Sequence, residues 1–155
     1  MTGEDAGPVR RDECGQIGGI EGLIFGVLIF VFGTLVVANA WGVIDAKLAT
    51  TSAAREAART YVEAPSEAAA GPAAEDAAYA AIEAHGRRRE RAHPSLVPGS
   101  RFARCERITI KVTYEVPLIA IPLLGQAGNG ITVTSRHSEV VDPYRSGLAG
   151  PAACR

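Results

Sequence analysis

The run Gly22–Ile44, GLIFGVLIFVFGTLVVANAWGVI, holds no charged residue, although charged residues make up 21% of the 155-residue chain. As a helix, 23 residues reach about 34 Å, enough for a hydrocarbon core of about 30 Å with modest tilt. A helix that is apolar all round has no stable place on a small water-soluble domain, whereas a bilayer accepts it on every side. The run therefore predicts a transmembrane helix over residues 17–44, following an N-terminal segment 1–16.

A second reading of the same run is a secretory signal peptide. Arg10 and Arg11 would form its charged start, Leu23–Val37 its apolar region and Ala38-Asn39-Ala40 its cleavage site. Against cleavage after Ala40, the apolar stretch continues through Trp41, Val43 and Ile44, and helical periodicity runs on from there. A lipoprotein is excluded, because Cys14 precedes the apolar region. The positive-inside count is undecided, with Arg10 and Arg11 before the helix and Lys47, Arg55 and Arg59 after it. A long C-terminal domain translocates regardless of such charges. The expected topology has the N-terminus in the cytoplasm and residues 45–155 outside.

Glu21 opens the apolar helix. It is either a hydrated headgroup-level carboxylate near the positive end of the helix dipole or a polar contact to another subunit. Gly18, Gly22 and Gly26 form two overlapping G-x-x-x-G steps on one helix face, the spacing that lets a second helix approach closely.

Helical spacing continues through 45–64, where Trp41, Ile44, Leu48, Thr51, Ala54, Ala58, Tyr61 and Val62 are expected on one inner face. One helix of about 45 residues is predicted, ending before Pro65. Pro65-Ser66 and Gly71-Pro72 mark a turn, and an Ala-rich second helix is predicted over 73–85, with Ala74, Ala77, Ala78, Ala81 and Ile82 inside. The 27 alanines allow close packing but leave little large-side-chain core, and composition excludes a large enzyme core, collagen, a coiled-coil rod and a disulfide-dense scaffold.

Arg87, Arg88, Arg89 and Arg91 open a basic stretch that is either a patch for anionic lipid or an acidic partner, or a solvated helix end. It lacks interleaved aromatics beyond Phe102, and the net charge is −1, so nucleic acid is not an expected partner. Residues 108–116, ITIKVTYEV, alternate strictly and predict a strand with Ile108, Ile110, Val112, Tyr114 and Val116 inward. A second strand is expected over 131–141, with Ile131 and Val133 inward. Between them, the apolar loop Leu118–Leu124 would either cap the sheet or meet a membrane surface or partner. The tail, 149–155, reads as flexible.

No catalytic constellation, metal-ligand spacing or phosphate loop is present in the sequence, so no enzyme activity, metal, cofactor or small-molecule substrate is expected. His85, His93 and His137 are scattered, without a Cys or His at ligand spacing. With the head outside, Cys105 and Cys154 share an oxidising compartment, where a bridge between them would tie the tail to the first strand.

Arg11-Asp12-Glu13 with Gly15, Glu21 at the head of the apolar helix, and Ser52-Ala53-Ala54-Arg55-Glu56-Ala57-Ala58-Arg59 after it resemble the TadE-like family of tight-adherence (Tad) pilus assembly proteins. The resemblance extends to Val116-Pro117-Leu118 and Asp142-Pro143-Tyr144-Arg145, covering residues 11–148. It implies a minor pilin-like membrane protein, with other pilin-like subunits and assembly-platform proteins as partners. It also implies a prepilin-type peptidase acting at Gly15, Gln16 and Ile17: a cut after Gln16 makes Glu21 the fifth mature residue, and a cut after Gly15 the sixth. Glu21 would then pair with a neighbour's new N-terminal amine. The expected fold is α+β: a long N-terminal transmembrane helix continuing into a pilin-like head over 45–148, with a second helix and a small antiparallel sheet. Its rivals are a secreted binding module released at Ala40 and a membrane-anchored sensor using the Arg-rich patch.

Overall fold

The computed structural model describes residues 17–117, 130–151 and 153–154. Among them the order is helix α1 (Ile17–Glu63), helix α2 (Glu67–Ala84), a 3-10 turn (Arg89–Arg91), and strands β1 (Ala92–Leu96), β2 (Arg107–Val116) and β3 (Ile131–Val140). The architecture is α+β, with a long N-terminal apolar helix, a second helix and a three-stranded antiparallel sheet in the order β1-β2-β3. The chain divides into two compact units, up to Val37 and from Ala38 onward.

In the first unit, the described residues of α1 carry their large apolar side chains outward. Leu23 is 68% exposed and Phe30 74%, with Ile24, Phe25, Leu28 and Ile29 similarly open. Thr34 donates its hydroxyl to the Phe30 carbonyl at 2.8 Å, so this polar group is satisfied within the helix. Among the described residues, α1 is the one helix long and apolar enough to cross a membrane.

In the second unit the same helix becomes a wall of the core. Its buried stripe is Ala46, Ala49, Thr50, Ala53, Ala54, Ala57, Ala58 and Tyr61, at the i, i+3, i+4, i+7 spacing of one face. This corrects the expected inner face. Trp41 is 70% exposed, and Ile44 and Leu48 also point outward; Thr51 is exposed at the edge of the packed face, whereas Ala54, Ala58 and Tyr61 are inside. Close approach of backbone to backbone selects small side chains, so the face with the largest residues is not the face that packs.

Helix α2 starts earlier than expected. Ser66 caps it, its hydroxyl accepting from the Ala69 amide at 3.4 Å, and Pro72 lies inside the helix. An interior proline removes one backbone donor and crowds the carbonyl four residues back. Six residues past the cap, in an Ala-rich helix held on a core, that cost does not move the start. Ala70, Ala74, Ala78 and Ile82 are buried, and Ala77 and Ala81 half-buried, the stripe that periodicity predicts.

The centre of the sheet is β2, with Ile108, Ile110, Val112, Tyr114 and Val116 buried as the alternation requires. The third strand, β1, is not visible as a periodic pattern. It has five residues, pairs Ala92 with Tyr114 and Leu96 with Ile110, and contains Pro94. Proline is confined to edge strands because it cannot donate to a ladder on both sides, and β1 is an edge. In β3, Val133 is buried, but Ile131, expected inward, is 43% exposed at the strand's first position. Gly130 precedes it at a position that only glycine can occupy: a Cβ there would lie 2.1 Å from the Val116 carbonyl oxygen.

Candidate functional site

Glu21 lies on the exposed surface of α1, and among the described residues it makes no ion pair. A Cβ placed on Gly22 or Gly26 meets nothing within 4 Å, so this face offers open backbone for another helix. Gly15 and Gln16 and the loop Leu118–Leu124 lie outside the described residues, as do the surroundings of Ile17 and Gly18.

The four arginines of the basic stretch are not one patch. Arg87 turns inward, its side chain 15% exposed, and donates from Nε to Asp45 Oδ2 at 3.1 Å and from Nη2 to the Gly42 carbonyl at 3.0 Å. Its guanidinium also lies 5.5 Å from the centre of the Tyr114 ring. A residue just past the end of α2 is thereby fastened to α1 where the uncharged run ends. Arg89 instead stacks on Tyr79 at 4.5 Å. Burial raises the Tyr79 phenol above its ordinary pKa, assisted by its hydrogen bond to Glu75. Arg88 and Arg91 make no ion pair among the described residues, and with Asp45, His85 and Tyr114 they line a hollow of about 250 Å³.

Three further attachments hold the head to its helix. The Arg145 guanidinium donates to the carbonyls of Val62 and Ala64, and lies 5.2 Å from the Phe102 ring centre. It satisfies acceptors that the end of α1 leaves open and sits at the negative end of the helix dipole. Lys47 donates to the Thr134 carbonyl, while Ser135, buried on β3, meets the Thr50 and Thr51 hydroxyls at 2.9 and 3.0 Å. Thus α1 contacts β3 through polar groups and lines the rest of the core with alanine. Tyr61 packs edge-on against Phe102 at 5.7 Å, and burial raises its phenol pKa.

Cys105 and Cys154 form a disulfide, with Cα atoms 5.1 Å apart. The segment just before Cys154 is held as well, where the sequence reads as loose. The Arg104 amide donates to the Ala149 carbonyl at 2.8 Å, and Arg104 Nη2 to the Gly150 carbonyl at 2.7 Å. Gly150 has φ +120°, and a Cβ there would lie 2.6 Å from the Arg104 carbonyl oxygen, so a side chain would expel this segment.

The contacts of Arg145, Asp45 and the Lys47–Thr51 group are not visible in residue pattern. An isolated arginine after Asp142-Pro143-Tyr144 gives no sequence sign that it caps a helix some eighty residues earlier. The Asp45 and Lys47 charges, directly after an apolar run, read as the boundary of a span, while their partners are set by tertiary packing. Among the described residues, no group of His, Cys, Asp and Glu could hold a metal ion. Comparison of the chain with known protein families, with curated proteins and with solved structures finds no match in any of the three.

Proposed function

We propose that this chain is a single-pass membrane protein of the TadE-like kind that acts in the assembly of a Tad-type pilus. In this reading α1 packs against other pilin-like subunits and the assembly platform, while the α+β head contributes partner contacts outside the cytoplasmic membrane. The observation that carries it is the double use of α1. Its first half presents large apolar side chains to its surroundings, and its second half forms a wall of the head. Glu21 and the Gly22/Gly26 face lie at the start of that helix, where a carboxylate gives register and glycines give close approach. The disulfide supports placing the head in an oxidising compartment, which leaves the short N-terminal segment in the cytoplasm.

The reading is tested by Glu21→Ala in cells carrying a Tad assembly system. Membrane insertion is expected to be unchanged and crosslinking through α1 to pilin-like partners reduced. Crosslinking at the wild-type level would make Glu21 a headgroup-level bystander and remove the role proposed for it.

A further inference from the structure

The hollow beside Asp45 is built differently from the rest of the basic stretch. It lies between the end of α2, the 3-10 turn and β2, and its walls carry Arg88 and Arg91, which make no ion pair among the described residues, with His85 beside them. The acid in the hollow, Asp45, is already engaged by Arg87 through both Nε and Nη2. Glu90 lines a separate hollow with Tyr79 and Arg89, and Glu115 lines a neighbouring one with Arg91. The hollow also has a fixed height along α1. Arg87 bonds the Gly42 carbonyl and Asp45, so it is fastened at the last turn of the uncharged run. Trp41, 70% exposed, belongs to the same turn, and tryptophan favours the membrane–water boundary. If α1 spans a bilayer up to this turn, two cationic side chains that make no ion pair among the described residues lie near the level of the lipid phosphates.

We propose that this hollow binds the phosphate of an anionic phospholipid headgroup, with Arg88 and Arg91 as its cationic walls and Arg87 holding the floor in place. The site rests on the reading of α1 as membrane-spanning. Guanidinium groups donate paired, charge-assisted hydrogen bonds to phosphate oxygens, whereas a zwitterionic headgroup brings its own ammonium into the same space. The site would hold the end of α2 and the 3-10 turn at the headgroup level, a constraint that the apolar helix alone does not supply.

The test is native mass spectrometry of the full chain in mild detergent, titrated with phosphatidylglycerol or phosphatidylcholine. Phosphatidylglycerol is expected to bind more tightly. Its affinity should fall about fivefold for each arginine lost in R88Q/R91Q, given the usual contribution of a basic residue at a lipid surface. R88K/R91K, which keeps the charge but not the paired donors, should fall between the wild type and R88Q/R91Q, and R107Q, exposed at the start of β2, should retain all of the binding. Excess inorganic phosphate should leave the bound lipid in place. Unchanged affinity in R88Q/R91Q would overturn the site, and full displacement by inorganic phosphate would overturn the lipid as its ligand. Carbonate extraction of the same proteins from membranes reports on the span separately, so loss of the anchor and loss of the headgroup site are told apart.

Discussion

Residues 20–37 and 46–61 belong to one helix and are treated in opposite ways. The first stretch carries Ile, Leu, Val and Phe, the side chains that ordinarily fill cores, and leaves them exposed. The second is rich in alanine and forms the buried wall of the head. The difference shows that the size of an apolar side chain does not decide whether protein covers it. In water, alanine serves the core because it lets α1 lie close to its neighbours. In lipid, bulk on every face is what would make a helix like the first stretch favourable.

The largest expected effect tests whether so small-residue a head stands without covalent help. Removing the bridge with C105S/C154S opens a link between cysteines 49 residues apart, and should cost the head about 2–4 kcal/mol in thermal or chemical unfolding. Extraction of the protein from membranes should be unchanged, because the span does not depend on the bridge. The next pair sets the two halves of α1 directly against each other. Ala57→Leu forces three extra carbons into the packed stripe and should destabilise the head by about 1–3 kcal/mol, while Leu28→Ala should leave head unfolding unchanged. Equal effects from the two would break the comparison.

Arg145→Ala comes next. Loss of the guanidinium leaves the Val62 and Ala64 carbonyls without their donor and should cost about 2 kcal/mol, with fraying of the last turn of α1 visible in amide exchange. The smallest effect is the alkaline limit. Tyr61 has its phenol pKa raised by burial above the value it takes in the unfolded chain, about 10. The folded state then holds the proton at pH values where the unfolded state releases it. The contribution is fully present below pH 10 and is lost as the pH climbs through the folded pKa, so head stability should decline in that window. Tyr61→Phe should flatten the alkaline limb measured by pH-dependent unfolding.

Much of this was legible before any coordinates. The uncharged run announced a long apolar helix, the alternation in ITIKVTYEV identified β2 and its inward face, and Pro65 marked the end of α1. What escaped follows from distance and from context. The strand β1 has only five residues, one of them Pro94, and gains its identity from pairing with β2. The inner face of α1 was misjudged because periodicity weights large side chains, whereas Trp41 and Leu48 stand outside while alanines pack. At the candidate site the arginines were visible but their division was not. Arg87 is occupied by Asp45 and Gly42, Arg89 by Tyr79, and only the fold leaves Arg88 and Arg91 lining the hollow together.

The central claim is that the apolar half of α1 remains in the mature protein as its membrane span. Intact mass and N-terminal sequencing of the chain recovered from a membrane fraction test it most directly. The account predicts a protein that retains residues 22–44 and begins at or before Ile17. A mature chain that begins at Trp41 would contradict it.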